Sequence, residues 1–308
     1  MAVLAAEPLS RRRALIRVHR LEYPFPVAYL CHALWGVGYA AAGAAGLLSA
    51  PVLLTVAANL IALIAQNPLN AALDIRSDAL TPAKRGVSAA AARLGGAGLL
   101  CAGAEMGTAL ALGAVVAVRY DRPVVALALA ARIGLDLLYN LEPVRLKRRG
   151  YANPVALGLC FGTLPCVVSY AALRDDWPPA VRGLFLGIGV LMTGRALYWA
   201  LPDRAADAAS GDRTPAATHG TRHALRVVCG TSAAAITLIT WAVAELYGPL
   251  WALAAAAVCA VLPADALRRL GRPHGAGAAP TADSLRVHAM TWAVLADAVL
   301  VALPFMAG

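Results

Sequence analysis

Charged side chains are scarce in this chain. Asp, Glu, Lys and Arg together make up 14% of its 308 residues, against about 25% in soluble globular proteins. That excludes an ordinary water-soluble enzyme, because there is too little polar surface to cover a globule of this size. Lysine is almost missing: Lys84 and Lys147 are the only two. Paired cysteines are missing as well. Cys31, Cys101, Cys160, Cys166, Cys229 and Cys259 all fall inside apolar stretches without a CxxC, which excludes a disulfide framework and reads as small core residues. No soluble-looking block interrupts the chain, so residues 1–308 read as one polytopic membrane domain with a cytoplasmic N-terminal segment at 1–24.

What fills the chain instead is apolar. Hydrophobic residues make up 60% and the mean hydropathy is +0.66, the composition of an integral membrane protein. Segments of about 20 apolar residues, enough to cross the hydrocarbon core, fit nine times, at 25–48, 51–75, 89–117, 123–140, 153–172, 180–201, 223–245, 249–267 and 287–306. No secretory signal is expected ahead of them, since Arg11-Arg12-Arg13 leads into a segment of full spanning length. The Gly/Pro/Ala-rich stretch at 271–280 reads as a loop.

The formal charge of +10 is not distributed as a nucleic-acid footprint, because the basic residues sit between apolar segments and lack interleaved aromatics. Nine spans place twenty Lys and Arg on the side of the N-terminus and four (Arg119, Arg122, Arg174, Arg182) on the other. The positive-inside rule then puts the N-terminus in the cytoplasm. The long connections, around 76–88, 141–152, 202–222 and 268–286, share that side, so the active site is expected there.

At the end of the second segment, NPLNAALDIRSDALTPAKRG places Asn70, Asp74 and Asp78 at i, i+4 and i+8, one face of a helix. Asn67 lies one turn earlier. Such oxygen donors suit Mg²⁺, which takes one or two carboxylates and completes its shell with water and phosphate. In LPDRAADAASGDRTPAATHG, Asp203 and Asp207 repeat the DxxxD spacing at the same separation from Asp74 and Asp78, and Asp212 follows. Lys84-Arg85 trails the first pair and Arg213 the second. Two facing acidic clusters repel unless cations lie between them, and a Mg²⁺-bridged diphosphate satisfies that pattern. Between them, YNLEPVRLKRRG supplies Arg145, Lys147, Arg148 and Arg149. The two lysines flank the site, as compact phosphate cations would.

These motifs resemble the UbiA superfamily of intramembrane prenyltransferases. The first matches NDxxDxxxD at Asn70, Asp74 and Asp78, with Ala71 replacing the second residue; the second matches DxxxD at Asp203 and Asp207. The loop resembles YSxPPxRLKxR, with Asn140 and Glu142 departing from the usual Ser and Pro. The resemblance implies an all-α membrane bundle of nine transmembrane helices around a central cavity. It implies that Asn70, Asp74, Asp78, Asp203 and Asp207 hold Mg²⁺ and a prenyl diphosphate. It also implies that Lys84, Arg85, Arg145 and Lys147 neutralise the departing diphosphate while Tyr139 faces the cavity. The function expected is prenyl transfer to a hydrophobic aromatic or lipid acceptor at a bacterial-type cell membrane. A membrane terpene cyclase without acceptor uses the same metal site, and a carrier of a lipid diphosphate is a third reading, disfavoured because both motifs lie at one interface rather than at the bilayer midplane.

The remaining intramembrane polar residues have structural expectations. Arg132 and Asp136, at i and i+4, read as a mutual pair, and Arg195 as a salt bridge to the second motif. Glu105 and Asp297 are expected to line the cavity or bond a neighbouring helix. His32 reads as a hydrogen-bonded interior residue. His219 and His223 lack the third soft ligand that zinc needs.

Overall fold

Long apolar runs with no water to satisfy their backbone fold as helices, and helices account for most of the described residues. The computed structural model describes residues 9–22, 24–41, 44–272 and 279–307. Among them there is no β-strand, only an isolated bridge between Arg149 and Arg213. The loop expected at 271–280 and the start of the N-terminal segment lie largely outside the described residues.

A short amphipathic helix, α1 (Arg11–Val18), comes first and is N-capped by Ser10. The bundle follows as α2 (Phe25–Ala40) and α3 (Ala50–Leu73), then a surface helix α4 (Arg85–Leu94). Next come α5 (Gly96–Arg119), α6 (Pro123–Asn140), α7 (Ala152–Tyr170), α8 (Pro179–Trp199) and α9 (Thr221–Tyr247). The chain continues through α10 (Pro249–Cys259), α11 (Val261–Leu270) and α12 (Met290–Ala307). Among the described residues, seven helical segments are long and apolar enough to cross a membrane, or eight with α10 and α11 counted as one bent span. The nine-span count is therefore not reached on length and apolarity. The missing one is α2, which at 16 residues is short for a span.

Three segments depart from the regular spans of the sequence reading, each at an identifiable residue. The span expected over 89–117 is divided at Gly95, whose φ of 54° ends α4. Residues 89–94 therefore belong to the surface helix, which buries Ala90, Ala91 and Leu94 against Ala14 and Val18 of α1. The segment expected at 249–267 bends by 45° between α10 and α11. Pro263 has no N–H for the Cys259 carbonyl four residues earlier, and α10 stops at Cys259. Inside α7, Pro165 does the same to Phe161, and residues Leu159–Thr163 wind as a π-turn.

Packing arranges the helices in a ring, with α2 against α3, α7 and α12, and the α8–α9 and α3–α5 pairs the most extensive. Small residues permit the closest approaches. A Cβ on Gly36 of α2 would fall 2.0 Å from the carbonyl oxygen of Cys166 on α7, and one on Gly158 of α7 the same distance from Thr193 Oγ1 on α8.

Candidate active site

Helix α3 carries Pro68 in its interior, where it withholds a hydrogen bond from the Ile64 carbonyl, which accepts one from Asn67 Nδ2 at 3.2 Å instead. The helix runs on to Leu73 and ends at the first acidic motif with Asp74 as its C-cap. Asn70, Asp74 and Asp78 thus do not share one unbroken helix, but the Asp78 amide still donates to the Asp74 carbonyl at 2.8 Å. All three line one cavity of about 330 Å³. Nor is this a wet helix end: Asp74 is 9% and Asp78 7% exposed.

The second motif follows α8 through a tight turn over Leu201–Asp203 and a helix over Arg204–Ser210. Asp203 and Asp207 line the same cavity. Thr214, which caps the helix over Pro215–His219, also donates its hydroxyl to Asp207 Oδ2 at 3.0 Å.

The basic loop closes over the first motif. Its Arg145 adopts a left-handed conformation at φ 38°, an arrangement costing of order 1 kcal/mol outside glycine, and its Nη2 reaches Asp74 Oδ1 at 3.2 Å. Lys147 is buried and donates to Asp74 Oδ1 at 2.6 Å, Asn70 Oδ1 at 3.3 Å and Asn140 Oδ1 at 3.4 Å. Asn153 holds the loop by donating to the Lys147 carbonyl at 2.7 Å. Arg148 Nε lies 2.7 Å from Asp212 Oδ1, tying this loop to the second motif.

The two lysines sit in different electrostatic settings. Lys84 bridges the motifs, 2.8 Å from Asp203 and 3.6 Å from Asp78. Burial opposes its charge, but Asp203 and Asp78 together outweigh burial and raise its pKa. Burial prevails at Lys147 and lowers its pKa against the pull of Asp74. Burial also raises the Asp78 carboxyl, with Lys84 opposing and Asp74 and Asp203 reinforcing.

The donor set of Asn70 and four aspartates is entirely oxygen, which fits a hard divalent cation. Among the described residues, however, no three His, Cys, Asp or Glu side chains converge as a metal cage. Ammonium groups stand between the carboxylates instead.

Other expected residues divide. Tyr139 lines the cavity, whereas Arg85 is exposed at the start of α4 and does not. Arg195 does not reach the second motif; its long side chain extends to α12 instead, where Nη1 donates to Asp297 Oδ1 at 2.5 Å. Arg132 and Asp136 are fully buried and 3.4 Å apart, a mutual pair away from the cavity. Glu105 bonds His19 Nε2 at 2.8 Å. Arg20, Gln66, Asn153 and Thr214 also line the cavity and were missed, since isolated polar residues carry no spacing signal. The inner wall is largely apolar, with Phe25, Leu157, Phe161, Met192, Met290 and Val294.

A family model described as the UbiA prenyltransferase family matches residues 29–295. The chain belongs to this family. Solved UbiA homologues share the UbiA fold of this chain. One from Archaeoglobus fulgidus bound to DMAPP and Mg²⁺ superposes with a TM-score of 0.71 at 16% identity, covering 95% of this chain and 98% of that one. The same homologue bound to GPP and Mg²⁺ gives 0.70 at 16% identity, covering 96% and 99%. The apo homologue from Aeropyrum pernix K1 gives 0.66 at 16%, covering 96% and 98%. Among curated proteins, none matches this UbiA-family chain in sequence.

Proposed function

We propose that this UbiA-family protein is a Mg²⁺-dependent prenyltransferase that moves an isoprenyl group from a prenyl diphosphate to a hydrophobic aromatic or lipid acceptor. One observation carries the reading: the two DxxxD motifs and Lys147 of the basic loop line the mouth of a single cavity whose inner wall is largely apolar. The binding of DMAPP and GPP with Mg²⁺ by archaeal homologues supports it. The cavity is within the size range of small-molecule sites.

Asn70, Asp74, Asp78, Asp203 and Asp207 are the residues to hold the metal, which when bound polarises the diphosphate and offsets the charge it gains on leaving. Lys84 and Lys147, with Arg145 behind Asp74, supply fixed positive charge at that end. Tyr139 walls the cavity beside them. The apolar wall excludes water from the allylic cation once the C–O bond breaks. The orientation follows the basic-residue asymmetry: mouth and N-terminus cytoplasmic, in one membrane domain spanning the chain.

Purified protein with Mg²⁺ and geranyl, farnesyl or geranylgeranyl diphosphate should release diphosphate slowly, and a suitable acceptor should accelerate release and become prenylated. Efficient conversion of one donor alone into a cyclic terpene would reject transfer while leaving the metal site intact. Absence of any Mg²⁺-dependent release would reject both.

A further inference from the structure

Below the acidic motifs the cavity holds a second polar cluster, built from three helices. His32 of α2, Asp297 of α12 and Arg195 of α8 are 4%, 1% and 2% exposed. Arg195 Nη1 donates to Asp297 Oδ1 at 2.5 Å, and His32 Nε2 lies 3.2 Å from Asp297 Oδ2. Trp35 fixes the assembly from behind, donating Nε1 to the Asp297 carbonyl at 3.3 Å while its ring stacks on His32 with centroids 4.4 Å apart. Arg195 precedes Asp203, and Gln66 precedes Asp74, by two helical turns, which puts this level on the order of 10 Å beneath the motifs.

The hydrogen-bond inventory assigns the protons. Arginine stays charged, so Asp297 facing it is a carboxylate and accepts from both neighbours. The proton between Asp297 and a neutral His32 therefore sits on Nε2, leaving Nδ1 as a lone pair. That Nδ1 is buried without a partner, on a residue that lines the cavity. Gln66 Oε1 is in the same condition. With the His32 ring neutral, both unmatched atoms are acceptors, so the group they lack is a donor. Trp199 Nε1 is unmatched too, but it is a donor one turn before Asp203, at the mouth where an anion belongs.

We propose that His32 is the general base for a hydroxyl-bearing prenyl acceptor, with Asp297 and Arg195 as its positioning residues. The proposal rests on the transfer reading above. The acceptor O–H donates to Nδ1 and its proton passes there, while the oxygen's electron pair forms a bond to the allylic carbon. The bond from that carbon to the diphosphate breaks, and its electrons leave with the diphosphate. Asp297 stabilises the imidazolium that results and keeps the ring in one tautomer, as the buried carboxylate does in a Ser-His-Asp triad.

The test needs neither donor nor turnover, so it fails independently of the transfer reading. Full-length protein with ¹⁵N-labelled histidine in lipid nanodiscs is titrated with phenol, and in parallel with anisole, which has the same ring but no O–H. Replacing the other histidines in turn assigns the His32 signals without touching the site. At neutral pH His32 should carry its proton on Nε2; phenol should move the Nδ1 resonance and anisole should leave it. Asp297→Asn should reduce the Nε2–H population. A proton on Nδ1, a doubly protonated ring, an equal response to anisole, or an unchanged tautomer in Asp297→Asn would overturn the assignment.

Discussion

Asp74→Asn separates catalytic charge from structural charge at the acidic mouth. Asp74 accepts from Lys147 at 2.6 Å and from Arg145 at 3.2 Å. Removing one partner of a fully buried ion pair costs roughly 3–5 kcal/mol. The loss here is smaller, because Lys147 keeps Asn70 and Asn140 and the new amide oxygen still accepts. About 1–2 kcal/mol of stability is expected, between a buried pair and an exposed one. Turnover should fall further, by at least ~10²-fold, or about 2.7 kcal/mol of transition-state stabilisation. Asp203→Asn supplies the comparison. Its side chain is 21% exposed, and Lys84 retains Asp78, so its stability should change by less than ~1 kcal/mol while its turnover falls as far. Diphosphate release from geranyl diphosphate with Mg²⁺ reads turnover, and thermal unfolding in detergent reads stability. Full turnover by Asp74→Asn, or wild-type turnover unaffected by excess EDTA, would refute the metal–diphosphate model.

Three further outcomes are expected. Single cysteines at Ala79, Ala152 and Ala209 in a cysteine-free background should react with impermeant reagents only from the cytoplasmic side; labelling of Ala152 from outside would separate the basic loop from the aspartates and overturn the topology. Arg195→Met leaves Asp297 without its guanidinium partner and should lower stability by roughly 3–5 kcal/mol in thermal unfolding, whereas a change below ~1 kcal/mol would show that the pair is not formed. Gly36→Ala sets a methyl against backbone atoms of α7 and should cost about 1–3 kcal/mol; Gly103→Ala, with nothing within 4 Å, should cost none, and equal melting points for the two would contradict the close helix approach.

The acidic motifs were legible because a repeated DxxxD spacing is a strong pattern in a chain otherwise poor in charge. Lys84 and Lys147 were legible because lysine is nearly absent elsewhere. Arg85 was expected beside Lys84 on adjacency alone, but neighbouring residues point different ways: Lys84 turns inward between Asp78 and Asp203 while Arg85 faces out. Arg195 was expected to pair with the acidic motif that follows it two turns along the sequence. Its partner is Asp297, 102 residues away, and no local periodicity encodes which helix packs against that turn.

By itself the sequence determined that the chain is a bundle of long apolar helices with two acidic motifs set at the ends of such segments. Hydrophobic length, the scarcity of charge and the acidic spacing are local quantities that survive without any tertiary contact. It did not locate the breaks at Gly95 and ahead of Pro263, which fall inside segments read from the sequence as single spans. Only the tertiary structure decided that α2, α8 and α12 meet, that Lys84 spans the two motifs, and that His32, Asp297 and Arg195 form one network inside the cavity. Such contacts depend on how a ring of helices closes, and closure is set by shape at small residues such as Gly36 and Gly158, whose partners lie on other helices and leave no mark on the residues beside them.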